Sequence, residues 1–283
     1  MPARTAVITG ATSGIGEIAA LALARGGMRI VFVARDAARG AATLARLSAA
    51  APQAAHALHV ADLSAIGQVR RVGAAIAAEA RIDALLNNAG AVFTGRRRTI
   101  DGLAPSFATN HLACYALSLL LLPRLQATPG ARIVCTSSRA HAYGRMDFAR
   151  LQRDGIGGYA QSKLANLLFM RRLAQLLGGG GVTVNALHPG FVATRFADNC
   201  GQPWRTLMRW RKRAAGLTPE QGARTLIHLA VSPAVAGLTG GYYVDCRPVE
   251  PSPAARSDAD ALRLWQVSAQ LTGLDFKPAA RTA

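Results

Sequence analysis

The residues best equipped for chemistry are a tyrosine and a lysine four positions apart, in Tyr159-Ala160-Gln161-Ser162-Lys163. Helical spacing puts both side chains on one face. A free phenol titrates near 10 and is a poor proton donor or acceptor at neutrality. A neighbouring ammonium group favours phenolate and is expected to lower that value. Such a phenol can give a proton to a carbonyl oxygen or take one from an alcohol. Only three lysines occur (Lys163, Lys212, Lys277) among 33 basic residues, so few that a chance placement here is rare.

A second cluster is made of backbone rather than side chains. Thr9-Gly10-Ala11-Thr12-Ser13-Gly14-Ile15-Gly16 lies between a run with strand character, Arg4–Thr9, and an alanine- and leucine-rich helix. Glycines there allow a tight turn and a close approach, and a helix N-terminus offers free amides to phosphate. At the end of the next strand Arg35 is placed to pair with the extra phosphate of NADP through two charge-assisted bonds. Asp36, one residue later, keeps NAD open, because an acidic side chain there accepts from the ribose hydroxyls. Arg39 is either a second phosphate ligand or a solvated helix residue.

These groups need a scaffold, and the pattern supplies one. Strands are expected at residues 4–9, 28–33, 55–60, 82–86, 131–136, 182–187 and 242–245. Helices are expected at 37–50, from a Ser64 cap to about 80, and at 105–125, 159–177, 219–231 (capped by Thr218) and 258–271. Strands alternating with helices imply right-handed crossovers, a single-domain α/β Rossmann-type fold and a doubly wound parallel sheet of about seven strands with helices on both faces.

The spacing TGxxxGxG, rather than GxGxxG, resembles the short-chain dehydrogenase/reductase family, and the resemblance recurs along almost the whole chain. It implies that Gly10, Thr12, Ser13, Gly14, Ile15 and Gly16 hold the cofactor. By the same likeness Asp62 and Leu63 meet adenine, and Asn88, Ala89 and Gly90 of the Asn87–Gly90 turn line the cofactor. Pro189 and Gly190 of His188-Pro189-Gly190 sit beside the nicotinamide, with Val192 and Thr194 on its carboxamide or phosphates. Tyr159 becomes the acid/base and Lys163 also a ribose ligand, helped in lowering the phenol by the positive nicotinamide. Ser138 is expected to bond the substrate oxygen, with its neighbour Ser137 the alternative. Asn110 is expected to link Lys163 to a proton-relay water. The long helices resemble those that pair subunits in this family, so a homo-oligomer is expected.

The stretch Ser137–His141, the HPG turn and the tail around Trp265 resemble the retinol-dehydrogenase-like branch, which implies apolar aldehydes, ketones and alcohols as substrates. Residues 191–217 are expected to form a lid. Within it Trp204, Leu207, Met208 and Trp210 alternate with Arg205, Arg209, Arg211, Lys212 and Arg213. That pattern suits either packing on the domain or peripheral contact with an anionic membrane through 204–213. His111 and His141 lie near the presumed site and are read as core or surface residues rather than catalytic ones.

A net charge of +18 raises nucleic acid as a partner. Arginine supplies nearly all of it, no recognition motif accompanies it, and a solvated surface explains it. The four cysteines lack metal-ligand spacing and suit a reducing compartment. The longest apolar run, Leu112–Leu122, is shorter than the roughly 20 residues of a membrane span. Strand-like sequence from about Arg4 leaves no room for a leader, so the cytoplasm is expected. The alternative to an enzyme is an NADP-binding sensor or scaffold without turnover, against which both Tyr159 and Lys163 are present.

Overall fold

Seven short, apolar strands run parallel in the computed structural model: β1 (Thr5–Thr9), β2 (Arg29–Ala34), β3 (Ala57–Val60), β4 (Ala84–Asn87), β5 (Arg132–Thr136), β6 (Thr183–Leu187) and β7 (Tyr242–Val244). The structure describes residues 3–276 except 96, 152, 179 and 191–216. A two-residue strand, β8 (Arg247–Pro248), adds an antiparallel edge, giving the order β3-β2-β1-β4-β5-β6-β7-β8. The sheet therefore has eight strands, one more than the pattern suggested. The eighth escapes notice because its hairpin turn carries no glycine: Asp245 and Cys246 take φ of 46° and 62°. Both central residues of such a two-residue turn need positive φ. The Cys246 amide is held by the Thr225 hydroxyl at 3.1 Å.

Alternate residues of each strand enter opposite layers. Val7, Val31 and Leu85 join one core, while Ile8, Phe32 and Leu86 join the other. The first lies under α3 (Ile66–Ala77), α4 (Pro105–Gln126), α5 (Gly155–Leu177) and α7 (Asp258–Thr272). The second lies under α1 (Gly14–Arg25), α2 (Ala37–Ala50) and α6 (Pro219–Val231).

Helix starts follow local hydrogen bonding, and two differ from expectation. Ser64 does not cap α3; the Asp101 carboxylate, 35 residues away, accepts from Ile66 N at 2.8 Å. Helix α5 begins at Gly155, four residues before Tyr159, so the tyrosine sits in the second turn. Thr218 does cap α6, in a reciprocal box with Gln221. Helix α4 is not uniform: Ala108–Leu112 form a π turn, a feature that often marks functional sites. By length and composition α4 matches a membrane span, with mean hydropathy 1.2, yet 83% of that stretch is buried inside the protein. Core helices pass the same test.

Candidate active site

The strand order reverses between β1 and β4, which opens a crevice at their carboxyl ends. The glycine-rich turn fills its floor. Gly10 and Gly14 have φ of 71° and 58°, where a side chain is strained. Gly16 is needed for space: a Cβ there would lie 2.2 Å from the Gly10 carbonyl oxygen and 2.4 Å from Asn88 Nδ2. Asn88 Nδ2 donates to the Thr9 carbonyl at 3.1 Å, and Thr9 Oγ1 accepts from the amides of Asn88 and Ala89 at 3.0 Å. The turn after β4 and the turn after β1 are thus one unit. Ser13, at the N-cap of α1, places no side-chain oxygen on the first-turn amides. Thr12 and Ile15 complete the loop. A backbone-lined hollow at a helix start fits a pyrophosphate.

Arg35 follows β2 and is exposed. Asp36 is engaged elsewhere: its carboxylate caps α2 by accepting from Arg39 N at 2.9 Å. The Arg39 guanidinium donates to the Thr12 carbonyl at 3.1 Å, so it belongs to the loop and is not merely solvated. Asp62 turns the chain after β3 by accepting from Ser64 N at 2.9 Å. Leu63 lines a small cavity with Thr9, Asn87, Ala89, Thr109 and Cys114. Gly190 has φ of 81° and donates its N–H to His188 Nδ1 at 2.9 Å, shaping the turn at Pro189. Val192, Thr194 and the 191–216 part of the expected lid lie outside the described residues, with the segment 204–213.

At the ends of β4 and β5 the second cluster assembles from four elements. The side chain of Ser138 faces the Tyr159 phenol closely enough to draw its pKa downward. Ser137 points the other way and donates to the Lys163 carbonyl at 2.8 Å, so the serine at the tyrosine is Ser138. Lys163 Nζ donates to the Thr136 carbonyl at 2.9 Å and lies 5.7 Å from the centre of the Tyr159 ring. Gly90 lies against this group: a Cβ there would lie 2.8 Å from the ammonium nitrogen, so a side chain at position 90 would shift the end of Lys163. Asn110 sits in the π turn of α4. Its Oδ1 accepts from Ala91 N at 2.9 Å, and its Nδ2 donates to Ala91 O and to Ser162 Oγ at 3.0 and 2.9 Å.

Burial governs the charges here. It pushes the Tyr159 phenol well above its ordinary value, and the Ser138 hydrogen bond pulls it partly back. Burial also brings Lys163 down to about 8, against a smaller upward pull from Cys114 and Cys135. The lowering of Tyr159 by Lys163 expected from the spacing does not dominate: loss of solvent disfavours phenolate and ammonium alike.

His111 and His141, expected near the site in core or surface roles, are both buried beside it. His141 Nδ1 lies 2.7 Å from the Ser138 carbonyl. His111 bonds Ser268 Oγ at 2.9 Å and Asn166 Oδ1 at 3.4 Å, and Asn166 Nδ2 reaches the Thr136 carbonyl that holds Lys163. Their neighbours in sequence, Ser138 and Asn110, were the available signal.

Residues 4–203 match the family described as short chain dehydrogenase. Dehydrogenase/reductase SDR family member 13 of Bos taurus is 40% identical over 279 residues, covering 96% of this chain and 74% of that protein. Retinol dehydrogenase 12 of Bos taurus is 37% identical over 280 residues, covering 97% and 88%. A short chain dehydrogenase from Burkholderia cenocepacia, solved in complex with NADP, shares 27% identity at a TM-score of 0.67, covering 84% of this chain and 94% of that one. With the crevice, the glycine turn and the tyrosine–lysine pair in place, the chain belongs to the short-chain dehydrogenase family, in its retinol-dehydrogenase-like branch, and is an NAD(P)-dependent oxidoreductase acting on CH–OH and C=O groups.

Proposed function

We propose that this enzyme interconverts apolar aldehydes or ketones and their alcohols, with NADP as its cofactor and retinoids or other lipid-like carbonyls as substrates. The observation that carries the proposal is the buried cluster in which Lys163, held by the Thr136 carbonyl, lies 5.7 Å from the Tyr159 ring, with Ser138 acting on the phenol. When bound, the nicotinamide supplies or accepts the hydride. The protein does the rest. Gly10–Gly16 and the first turn of α1 present amides to the pyrophosphate. Arg35 meets the additional phosphate, while Asp36, spent on its helix cap, is withdrawn from the ribose. Asp62 and Leu63 take the adenine, Asn88–Gly90 line the cofactor, Pro189, Gly190, Val192 and Thr194 hold the nicotinamide end, and Lys163 binds its ribose.

Tyr159 donates its proton to the carbonyl oxygen during reduction, and Ser138 steadies that oxygen by hydrogen bonding. Burial holds the proton on the phenol, so Tyr159 enters reduction in its acid form, and the positive charge of Lys163 would ease its release. Asn110, fixed to Ala91 and Ser162, serves the proton supply of Lys163. Fluorescence titration with NADPH and NADH tests the cofactor site. Tighter NADPH binding, lowered roughly ten- to hundredfold by Arg35→Asp through loss of a charged hydrogen bond, is expected; unchanged affinity in the variant would overturn the NADP assignment.

Cytoplasmic placement is proposed on Cys114, Cys135 and Cys246 being free thiols, and cell fractionation checks it. A homo-oligomer through α4 and α5 is proposed on their likeness to the family's pairing helices. Light scattering at two concentrations measures it.

A further inference from the structure

We infer, resting on the role proposed above for Ser138, that His141 is a positioning residue for that serine and is locked in one tautomer by the C-terminal segment. Ser138 opens the 3-10 turn Arg139–Tyr143. Its carbonyl oxygen is held twice by the same residue, by the His141 backbone N–H at 3.0 Å and by ring Nδ1 at 2.7 Å. The opposite ring nitrogen, Nε2, lies 3.2 Å from the backbone nitrogen of Ser252, 111 residues along the chain. A backbone N–H can only donate, so Nε2 accepts. A neutral ring whose Nε2 accepts carries its proton on Nδ1, and that proton points at the Ser138 carbonyl. Each end of the ring thus dictates the role of the other.

The surroundings favour this neutral state. His141 is buried, and the Tyr242 ring from β7 stands edge-on to it at 5.2 Å and 78°, with the hydroxyl 3.5 Å from Nδ1. Its charged neighbourhood is Arg139 in its own turn and His188 after β6, where Arg139 and His141 both act against protonation of His188. Burial lowers the affinity of the His141 ring for a second proton, against a smaller upward pull from the Ser138 carbonyl. Protonation would set an Nε2–H against the Ser252 N–H, two donors face to face. The turn that carries Ser138 would then lose its anchor, and a small misplacement of a group at the reacting centre is costly in rate.

The conservative variants separate the two ends. In His141→Asn the amide nitrogen takes the place of Nδ1 and can still donate to Ser138. In His141→Gln the amide oxygen takes the place of Nε2, accepts from Ser252, and leaves Ser138 without the ring donor. With NADPH and nonanal, kcat is expected to fall roughly ten- to hundredfold in His141→Gln. KM and NADPH affinity should stay within about twofold, and His141→Asn should recover most of the rate at a similar thermal midpoint. Wild-type kcat in His141→Gln, or equal losses in both variants tracking their thermal midpoints, would overturn the inference. Ring nitrogen NMR of the wild-type protein provides a readout that needs no turnover. A neutral ring protonated on Nδ1, persisting below the ordinary histidine range near 6.5, is expected. An Nε2–H tautomer, or ordinary titration, would overturn it. Absence of turnover with any carbonyl would instead strike the proposed function, and the ring measurement would stand apart from it.

Discussion

The nucleotide cradle and the catalytic cluster lie at the same edge of the sheet but are built by different means. The cradle is backbone: two positive-φ glycines, a third with no room for a methyl, and a turn stitched to it through Thr9 and Asn88. The cluster is side chain: Ser138 after β5, Tyr159 and Lys163 on α5, and Asn110 in a π turn of α4. Its members are fixed largely through carbonyl oxygens, those of Thr136, Ala91 and Ser138. One region is vulnerable to an added atom, the other to a lost one.

Lys163 belongs to both regions, so its loss should be the most damaging change. Lys163→Ala is expected to reduce kcat/KM by roughly 10²- to 10⁴-fold, the usual range for acid–base groups, and also to weaken NADPH in a fluorescence titration. If nucleotide affinity survived intact, Lys163 would serve the cluster alone. Gly16→Ala should act on the cradle only. Its methyl must displace the Gly10 carbonyl and Asn88, costing about 1–3 kcal/mol in chemical denaturation, as overpacking does. NADPH affinity should drop while kcat at saturating NADPH is retained.

A pH series sharpens the contrast. Burial brings Lys163 down to about 8, so it is charged at pH 7 and becomes neutral as pH rises through 8. Tyr159 is raised and remains protonated over that interval. Carbonyl reduction should therefore be level through neutrality and decline above about pH 8; a rise instead would show that phenolate formation limits it. The smallest effect concerns the cap behind Arg35. Asp36→Ala removes the acceptor of Arg39 N and should cost about 0.5–2 kcal/mol in stability. NADPH preference should be kept, because Asp36 is not assigned to the ribose.

The cradle was readable from sequence because its requirement is contiguous: a strand, spaced glycines and a helix follow one another between Thr5 and Arg25. Tyr159 and Lys163 were readable because one helix carries both. What brings Ser138 rather than Ser137 to the phenol is the direction each hydroxyl takes at the end of β5, and spacing alone left that open. Sequence placed His141 and His111 near the site through their neighbours Ser138 and Asn110, but not their bonds, since the partners Ser252 and Ser268 lie 111 and 157 positions away. Burial of the whole cluster, which raises Tyr159 and lowers Lys163, likewise comes from packing. The eighth strand was missed for a local reason, an Asp245-Cys246 turn with two positive φ values and no glycine.

The central claim is that Tyr159 carries the proton in an NADPH-linked carbonyl reduction. It is tested most directly by following NADPH oxidation with retinal and nonanal in the wild-type protein and in Tyr159→Phe, each after titration to the same nucleotide saturation. Turnover by the wild type, with a loss of roughly 10²-fold or more in the variant at unchanged NADPH affinity, is expected. Equal turnover in Tyr159→Phe would contradict the mechanism and move the proton donor elsewhere in the cluster.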